Sequence, residues 1–241
     1  MNGHVETVIV GGGQAGLALS YYLNKLGREH VIFERGRVAE RWRCERWDSL
    51  MFQFPNWSIT LPGYGYQTND PEGFAPKNDV IQFIEDYAAL IKAPVRSGVE
   101  VVSVHQKPDS ERFLVSTGED TVEAVNVVIA IGPYHVPIIP AFSASLPAEL
   151  FQVHSRDYRN PKQLPPGVVL VVGSGASGLQ IAEELHSSGR KTYLSVGRHQ
   201  RTPRRYGGQD IYWWFDALGI LKQPIHLIPT AAENDSCSPS P

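Results

Sequence analysis

Thr7, Val8, Ile9 and Val10 form an apolar, β-branched run that reads as a buried strand, and the pattern changes at once at a glycine cluster. Beyond it Leu17, Tyr21 and Leu23 return at helical spacing. A second apolar run, His30 to Phe33, reads as the next strand and ends in Glu34. Val80, Phe83, Ile84, Tyr87, Leu90 and Ile91 then space out as an amphipathic helix over 79–91, with Asp79 as its N-cap. Residues 99–105, 112–117 and 121–125 alternate as strands joined by turns at Pro108-Asp109 and Gly118-Glu119-Asp120, which predicts an antiparallel meander. Residues 127–131 are continuously apolar, as in strands that parallel sheets bury on both faces, and the run stops at Gly132-Pro133. After two proline-rich links the opening pattern returns, with a strand at 168–172, a glycine cluster, a helix at 179–187 and a strand at 191–196. Residues 210–219 suggest an aromatic helix ended by Gly219, and 229–241 read as a polar, disordered tail.

Two segments carry no clear period. Residues 35–48 are dense in Arg and Trp, a composition that favours a solvated, partly helical surface loop; the competing reading folds Trp42 and its neighbours over the flavin side of a bound dinucleotide. Residues 51–66 mix Pro and Gly with aromatics and read as a loop.

The two glycine clusters carry the chemistry. Gly11-Gly12-Gly13-Gln14-Ala15-Gly16 and Gly173-Ser174-Gly175-Ala176-Ser177-Gly178 each fit G-x-G-x-x-G between a strand and a helix. In that pattern the first glycine makes a tight turn, the second admits a pyrophosphate, and the third lets helix and strand close up. The helix N-terminus supplies amide donors and a positive dipole end. The copies differ where a ribose would sit. Glu34 ends the second strand of the first copy, and a carboxylate suits unphosphorylated ribose hydroxyls; the second copy runs into Arg198, with Arg201, Arg204 and Arg205 behind it, which suits a 2′-phosphate. The pair reads as an FAD site followed by an NADPH site. The fold class expected is α/β, two Rossmann-like units with an inserted antiparallel meander at about 99–125. An FAD-binding domain covers 1–160, a partial NADP-binding domain 161–228, and the tail the rest.

Composition narrows the partners. Among 241 residues, 42% are hydrophobic and 20% charged, with a formal net charge of −3, which points neither to nucleic acid nor to an anionic membrane. Cys44 and Cys237 form no C-x-x-C, which argues against a disulfide reductase and a cysteine zinc site, and no two His stand four apart on one helix face; no metal is expected. No leader or spanning segment is read, so the expected setting is the cytoplasm. His154 reads as a loop histidine rather than a catalytic acid, and no protein nucleophile is visible. Oligomeric state is left open.

With both glycine motifs in place, the chain resembles the flavin-containing (class B flavoprotein) monooxygenases. The resemblance is strongest to bacterial flavin oxidoreductases of that group, including one described beside cobalt–zinc–cadmium efflux systems. It runs over roughly residues 5–225, through Glu40-Arg41-Trp42, Arg46-Trp47-Asp48-Ser49-Leu50, Phe54-Pro55-Asn56-Trp57, Arg201-Thr202-Pro203-Arg204-Arg205-Tyr206 and Asp210-Ile211-Tyr212-Trp213-Trp214. The resemblance implies a three-layer FAD/NAD(P)-binding fold. Gly11, Gly13, Gly16 and Glu34 would hold the ADP part of FAD, Trp42 would lie near the flavin, and Val101 would meet the adenine. Ala130-Ile131-Gly132 stands for the usual A-T-G strand end, and Gly173, Gly175, Gly178 and Arg198 would hold NADPH. It further implies hydride transfer from NADPH to flavin and oxygen transfer from a flavin peroxide to a small molecule, with a plain NAD(P)H:acceptor reductase and a non-catalytic remnant as rivals. His154 and Tyr158 keep half of the F-x-G-x-x-x-H-x-x-x-Y/F fingerprint, while Ala148 and Leu150 replace its Phe and Gly. Members of the group continue well past Ile228, so a C-terminal part is expected to be missing. If Arg198 selects the 2′-phosphate, Arg198→Ala weakens NADPH more than NADH in parallel titrations, and equal loss of both removes that assignment.

Overall fold

A computed structural model describes residues 3–134, 136–197 and 202–224. The chain divides into two compact units, Met1–Gly197 and Arg198–Pro241.

The first unit opens with strand β1 (Gly3–Val10), helix α1 (Gln14–Lys25) and strand β2 (His30–Glu34). A short helix α2 (Glu40–Cys44), the two-residue strands β3 (Thr60–Leu61) and β4 (Tyr64–Gly65), and helix α3 (Lys77–Leu90) follow. Strands β5 (Val95–Ser97), β6 (Ser103–Gln106), β7 (Phe113–Ser116) and β8 (Thr121–Ile129) complete a six-stranded sheet of order β5-β2-β1-β8-β7-β6. The first four strands in that order run parallel and the last three antiparallel, so β8 belongs to both groups.

That double membership corrects the expected separation of meander and parallel strand. Residues 121–125 and 127–131 are not two strands: one strand spans Thr121–Ile129, its first half pairing with β7 and its whole length running along β1. The inserted meander is therefore continuous with the parallel sheet through β8. Its first strand starts at Ser103 rather than residue 99, because 98–99 are tied instead to the end of β2: Gly98 N–H donates to Gly36 O and Val99 N–H to Glu34 O, both at 3.0 Å.

Both faces of the central strands are buried, which is why their sequence is continuously apolar. On one face Ile9 and Ile32 pack with Leu17 of α1 and with Val80, Ile81, Phe83, Ile84 and Tyr87 of α3. On the other, Val8, Val31 and Phe33 join Val115, Val122 and Ala124. In α3 the inward stripe includes Ile81, while Leu90 is exposed. The N-cap is Pro76, not Asp79; Asp79 stands in the first turn, where its charge suits the helix dipole and its Oδ2 accepts the Tyr66 hydroxyl at 2.7 Å.

The second glycine cluster lies in the same unit, between strand β9 (Val169–Val172) and helix α4 (Ala176–Ser187), with strand β10 (Thr192–Ser195) parallel to β9. The helix starts three residues earlier than 179, at the second residue after Ser174. Ile181 and Leu185 of α4 pack with Tyr158, Leu164, Trp47 and Leu50. The opposite face of the two strands, Leu170, Val172 and Tyr193, is exposed.

In the second unit strands β11 (Arg205–Tyr206) and β12 (Gln209–Asp210) form a hairpin across Gly207-Gly208, both at positive φ, and helix α5 (Ile211–Ala217) follows. Asp210 caps α5 by accepting Tyr212 N–H at 2.8 Å and pairs with Arg204 Nε at 2.6 Å. The disordered tail expected at 229–241 lies outside the described residues.

Tyr87, fully buried under the sheet, donates its hydroxyl to Pro62 O at 3.1 Å, and burial pushes its phenol up to about 12. Its raised value means the stability it confers is complete below the ordinary tyrosine pKa near ~10 and is lost as pH climbs from there through about 12. Urea unfolding at pH 9 and pH 12 shows a smaller alkaline loss in Tyr87→Phe than in the parent chain.

Candidate functional site

The two glycine loops have the same geometry. Gly11 and Gly173 take φ of +111° and +103°, values that a side chain rarely adopts. Each donates its N–H to a carbonyl near the end of the neighbouring strand, Gly11 to Phe33 O at 2.8 Å and Gly173 to Ser195 O at 3.0 Å. A Cβ on Gly16 would collide with Gly11 O, and a Cβ on Gly178 with Gly173 O. Gly13 and Gly175, by contrast, are helix N-caps in extended conformation, and a Cβ there would meet nothing within 4 Å. No side chain caps either helix, and neither first turn holds an acid. Two helix N-termini thus offer amide donors across open space, the surroundings an anionic diphosphate needs.

Around the first loop the structure gathers several expected residues. Glu34 accepts Gly12 N–H on Oε2 at 2.8 Å and Gly36 N–H on Oε1 at 2.9 Å, which holds its carboxylate beside the loop. Gly11 lies against Ala130, with Ala130 O 2.6 Å from where a Cβ would stand, so the end of β8 meets the loop. Gly132, at φ +74°, turns the chain away, and Arg41 secures that turn through Pro133 O at 3.1 Å and Tyr134 O at 2.9 Å. Val101 is half-buried, two residues beyond the contact of Val99 with Glu34. Arg198 lies outside the described residues.

Between the loops opens a cleft of about 930 Å³. Gln14, at the start of α1, lines it, and so do Ala176, Ser177 and Gln180 of α4. Trp42, Trp47, Leu50, Phe52, Phe54, Tyr134 and Ile138 supply apolar walls, and His154 and Arg156 complete the rim. Gln180 grips the backbone of Met51 at both ends of its amide: Oε1 accepts Met51 N–H and Nε2 donates to Met51 O, each at 3.1 Å. Tyr158 donates to Glu184 Oε2 at 2.7 Å, and burial, aided by that bond, raises its phenol well above the usual range. His154 Nδ1 accepts the Arg156 N–H at 3.1 Å, a local loop bond.

The segment 35–48 is not a solvated loop. Trp47 and Glu45 are buried, and the segment forms one wall of the cleft. Four guanidinium groups gather near Glu45: Arg41 Nε at 2.7 Å, Arg156 Nη2 at 3.2 Å, Arg35 Nη2 at 3.7 Å, and Arg46 next in sequence. Burial pushes the Glu45 carboxyl up, but the Arg41 hydrogen bond and the charges of Arg41, Arg156 and Arg35 outweigh it and hold it below the ordinary carboxylate range. Arg46 is held below the usual guanidinium value, first by burial and then by the Arg41 charge. Glu45, Arg46, Arg156 and Gln180 line the cleft but are not singled out as candidates by the sequence. The only trace in the sequence is the alternation of Arg with Trp, which a solvated face shares. Among the described residues no group of His, Cys, Asp and Glu could hold a metal, and no helix is long and apolar enough to cross a membrane.

The family model for pyridine nucleotide-disulphide oxidoreductases matches residues 8–209. An uncharacterised CzcO-like oxidoreductase of Geobacillus kaustophilus is 41% identical over 228 residues, covering 92% of this chain and 63% of its own. This chain therefore spans less than two thirds of that relative's length. A flavin-containing monooxygenase from Stenotrophomonas maltophilia superposes with a TM-score of 0.73 at 24% identity, over 90% of this chain and 64% of that one. OTEMO, solved in complex with FAD and NADP, gives a TM-score of 0.60 at 21% identity, over 83% and 39%. These likenesses fix the fold rather than the reaction.

The loop geometry separates structural from ligand-facing glycines. Gly16→Ala forces helix and strand apart and costs about 3 kcal/mol in urea unfolding, whereas Gly13→Ala, whose new methyl enters open space at φ −91°, leaves the unfolding midpoint in place.

Proposed function

The chain belongs to the pyridine nucleotide-disulphide oxidoreductase family, and on that premise we propose that it is an FAD- and NADPH-dependent oxidoreductase that transfers oxygen to a small molecule. The observation that carries the reading is the pair of like-folded glycine loops whose helices both line one cleft. One loop alone would serve a single nucleotide; two facing one cleft suit a pair of dinucleotides whose reactive ends meet there.

In this reading FAD takes the first loop. The N-terminal amides of α1 hold its diphosphate, and the Glu34 carboxylate, already accepting two amides, has lone pairs left for ribose hydroxyls. Gln14 and Trp42 border the reactive end and Val101 the adenine side. NADPH takes the second loop, on the amides of α4, with Arg198 as its phosphate partner. When bound, the flavin supplies hydride acceptance and the activation of O₂. The chain's own contribution is to hold both dinucleotides at fixed separation, through the Gln180–Met51 grip and the Trp47–Leu185 cluster, and to shield the cleft with aromatic walls. With Cys44 as the one cysteine among the described residues, no dithiol is placed to pass electrons to a disulfide.

The test is the absorbance of the purified chain between 300 and 550 nm, before and after NADPH is added without oxygen. Bound flavin that bleaches supports the reading, and a colourless chain that takes up no added FAD overturns it. Bleaching followed by peroxide release for every substrate offered reduces the proposal to a simple reductase. Gly13→Ala, folded as the parent, is expected to bind FAD at least tenfold more weakly.

A further inference from the structure

Arg46 is a cation half-withdrawn from water in the wall of the cleft, and the one carboxylate whose charge acts on it, Glu45, is shared with three other guanidinium groups. Its hydrogen bond goes to a neutral acceptor, Nη1 donating to Glu45 O at 2.7 Å, and its Cζ lies over the Trp42 ring, 5.8 Å from the centroid. The Glu45 carboxylate beside it is already engaged by Arg41, Arg156 and Arg35. Among the described residues no carboxylate forms an ion pair with Arg46 itself. A partly desolvated guanidinium with only a share in one carboxylate is costly to keep, and its flat fork matches a carboxylate held in two bonds. Stacking on an indole fixes the fork in place before a ligand arrives.

The remaining walls define the rest of the ligand. Trp47, Leu50, Phe52 and Tyr134 are apolar or aromatic, and the cleft's roughly 930 Å³ holds a small organic molecule. Trp47 also lines the cleft, and its indole N–H is buried with no hydrogen-bond partner among the described residues. Phosphates have other seats in this chain, on the two glycine loops.

We propose that the cleft takes a small organic acid with an apolar body, its carboxylate held by Arg46 above Trp42. The inference deepens the proposed function, since it rests on the cleft being where the oxidoreductase meets its substrate.

Calorimetric titration of the full chain at low ionic strength with 3-phenylpropanoate and with its neutral amide tests it. The acid is expected to bind at least tenfold more tightly than the amide. Arg46→Met is expected to erase that preference while leaving amide binding and the circular dichroism spectrum unchanged, and Arg46→Lys to restore part of it. Should the Met variant fail to fold, the Lys variant decides alone: full retention of the acid preference overturns the role of the fork. Equal binding of acid and amide by the parent, or no acid binding, overturns the proposal. So does displacement of the acid by inorganic pyrophosphate, if Arg46→Met also abolishes pyrophosphate binding, because the site would then be a phosphate seat. A flavin-loaded chain that ignores the acid sinks this inference alone; a chain that binds the acid but never flavin sinks the cofactor reading and leaves this one standing.

Discussion

Where Gly16 faces Gly11 O and Gly178 faces Gly173 O, a helix lies on its strand at a distance that any β-carbon would forbid. The rest of both glycine-loop motifs follows from that closeness. Each helix begins directly over the end of its strand, so its unfilled amides point across the sheet's carboxyl edge instead of into solvent at random. The tight turn leading into the helix then needs a first glycine at positive φ, and its N–H reaches the adjacent strand. In the first unit Ala130 and Glu34 complete the surroundings, one closing against Gly11 and the other bridging Gly12 to Gly36. Nothing in this arrangement depends on a catalytic side chain, which agrees with chemistry carried by bound cofactors.

The stretch from Arg41 to Met51 ties the second glycine-loop helix to the cleft. Trp47 and Leu50 bury themselves against α4, the Met51 backbone is gripped by Gln180, and Asp48 Oδ2 accepts the Asn160 amide at 2.8 Å. One short segment therefore helps set the spacing of the glycine loops and also carries Arg46, one of the two arginines lining the cleft. A substitution here acts on geometry and electrostatics together, and its effects cannot be assigned to either from activity alone.

The glycine loops were legible because their requirements are local and strict: a missing side chain at fixed spacing between a period-two and a period-3.6 run. Glu34 was legible for the same reason, as the polar residue ending a buried strand. The union of 121–125 with 127–131 was not, because Asn126 interrupts the apolar run; its side chain instead bonds across to Glu6 O and Thr7 Oγ1 at 3.4 Å, a long-range partner that no window shows. The cap of α3 went to Pro76 because Asp79 is drawn to Tyr66, again a contact from another segment. The Arg-rich wall failed for an electrostatic reason. Charged residues read as exposed unless something pairs with them, and the pairing of Glu45 by three arginines is visible only when residue 156 is brought beside 35 and 41.

Strand β8 also bears on the order in which the chain acquires its structure. It pairs along β1 at a separation of more than a hundred residues, with Val8 opposite Val127, whereas β9 and β10 pair across a single intervening helix. Closing the longer loop carries the greater entropic penalty, so both glycine loops belong to local, low-contact-order events and the closure of β8 on β1 to a late one. On a ribosome the amino-terminal loop would emerge first yet be finished only after Ala130 had left the exit tunnel. Until then Gly11 has Phe33 and Gly16 beside it but not Ala130, and the edge of β1 that β8 will cover is the nascent chain's point of vulnerability to mispairing.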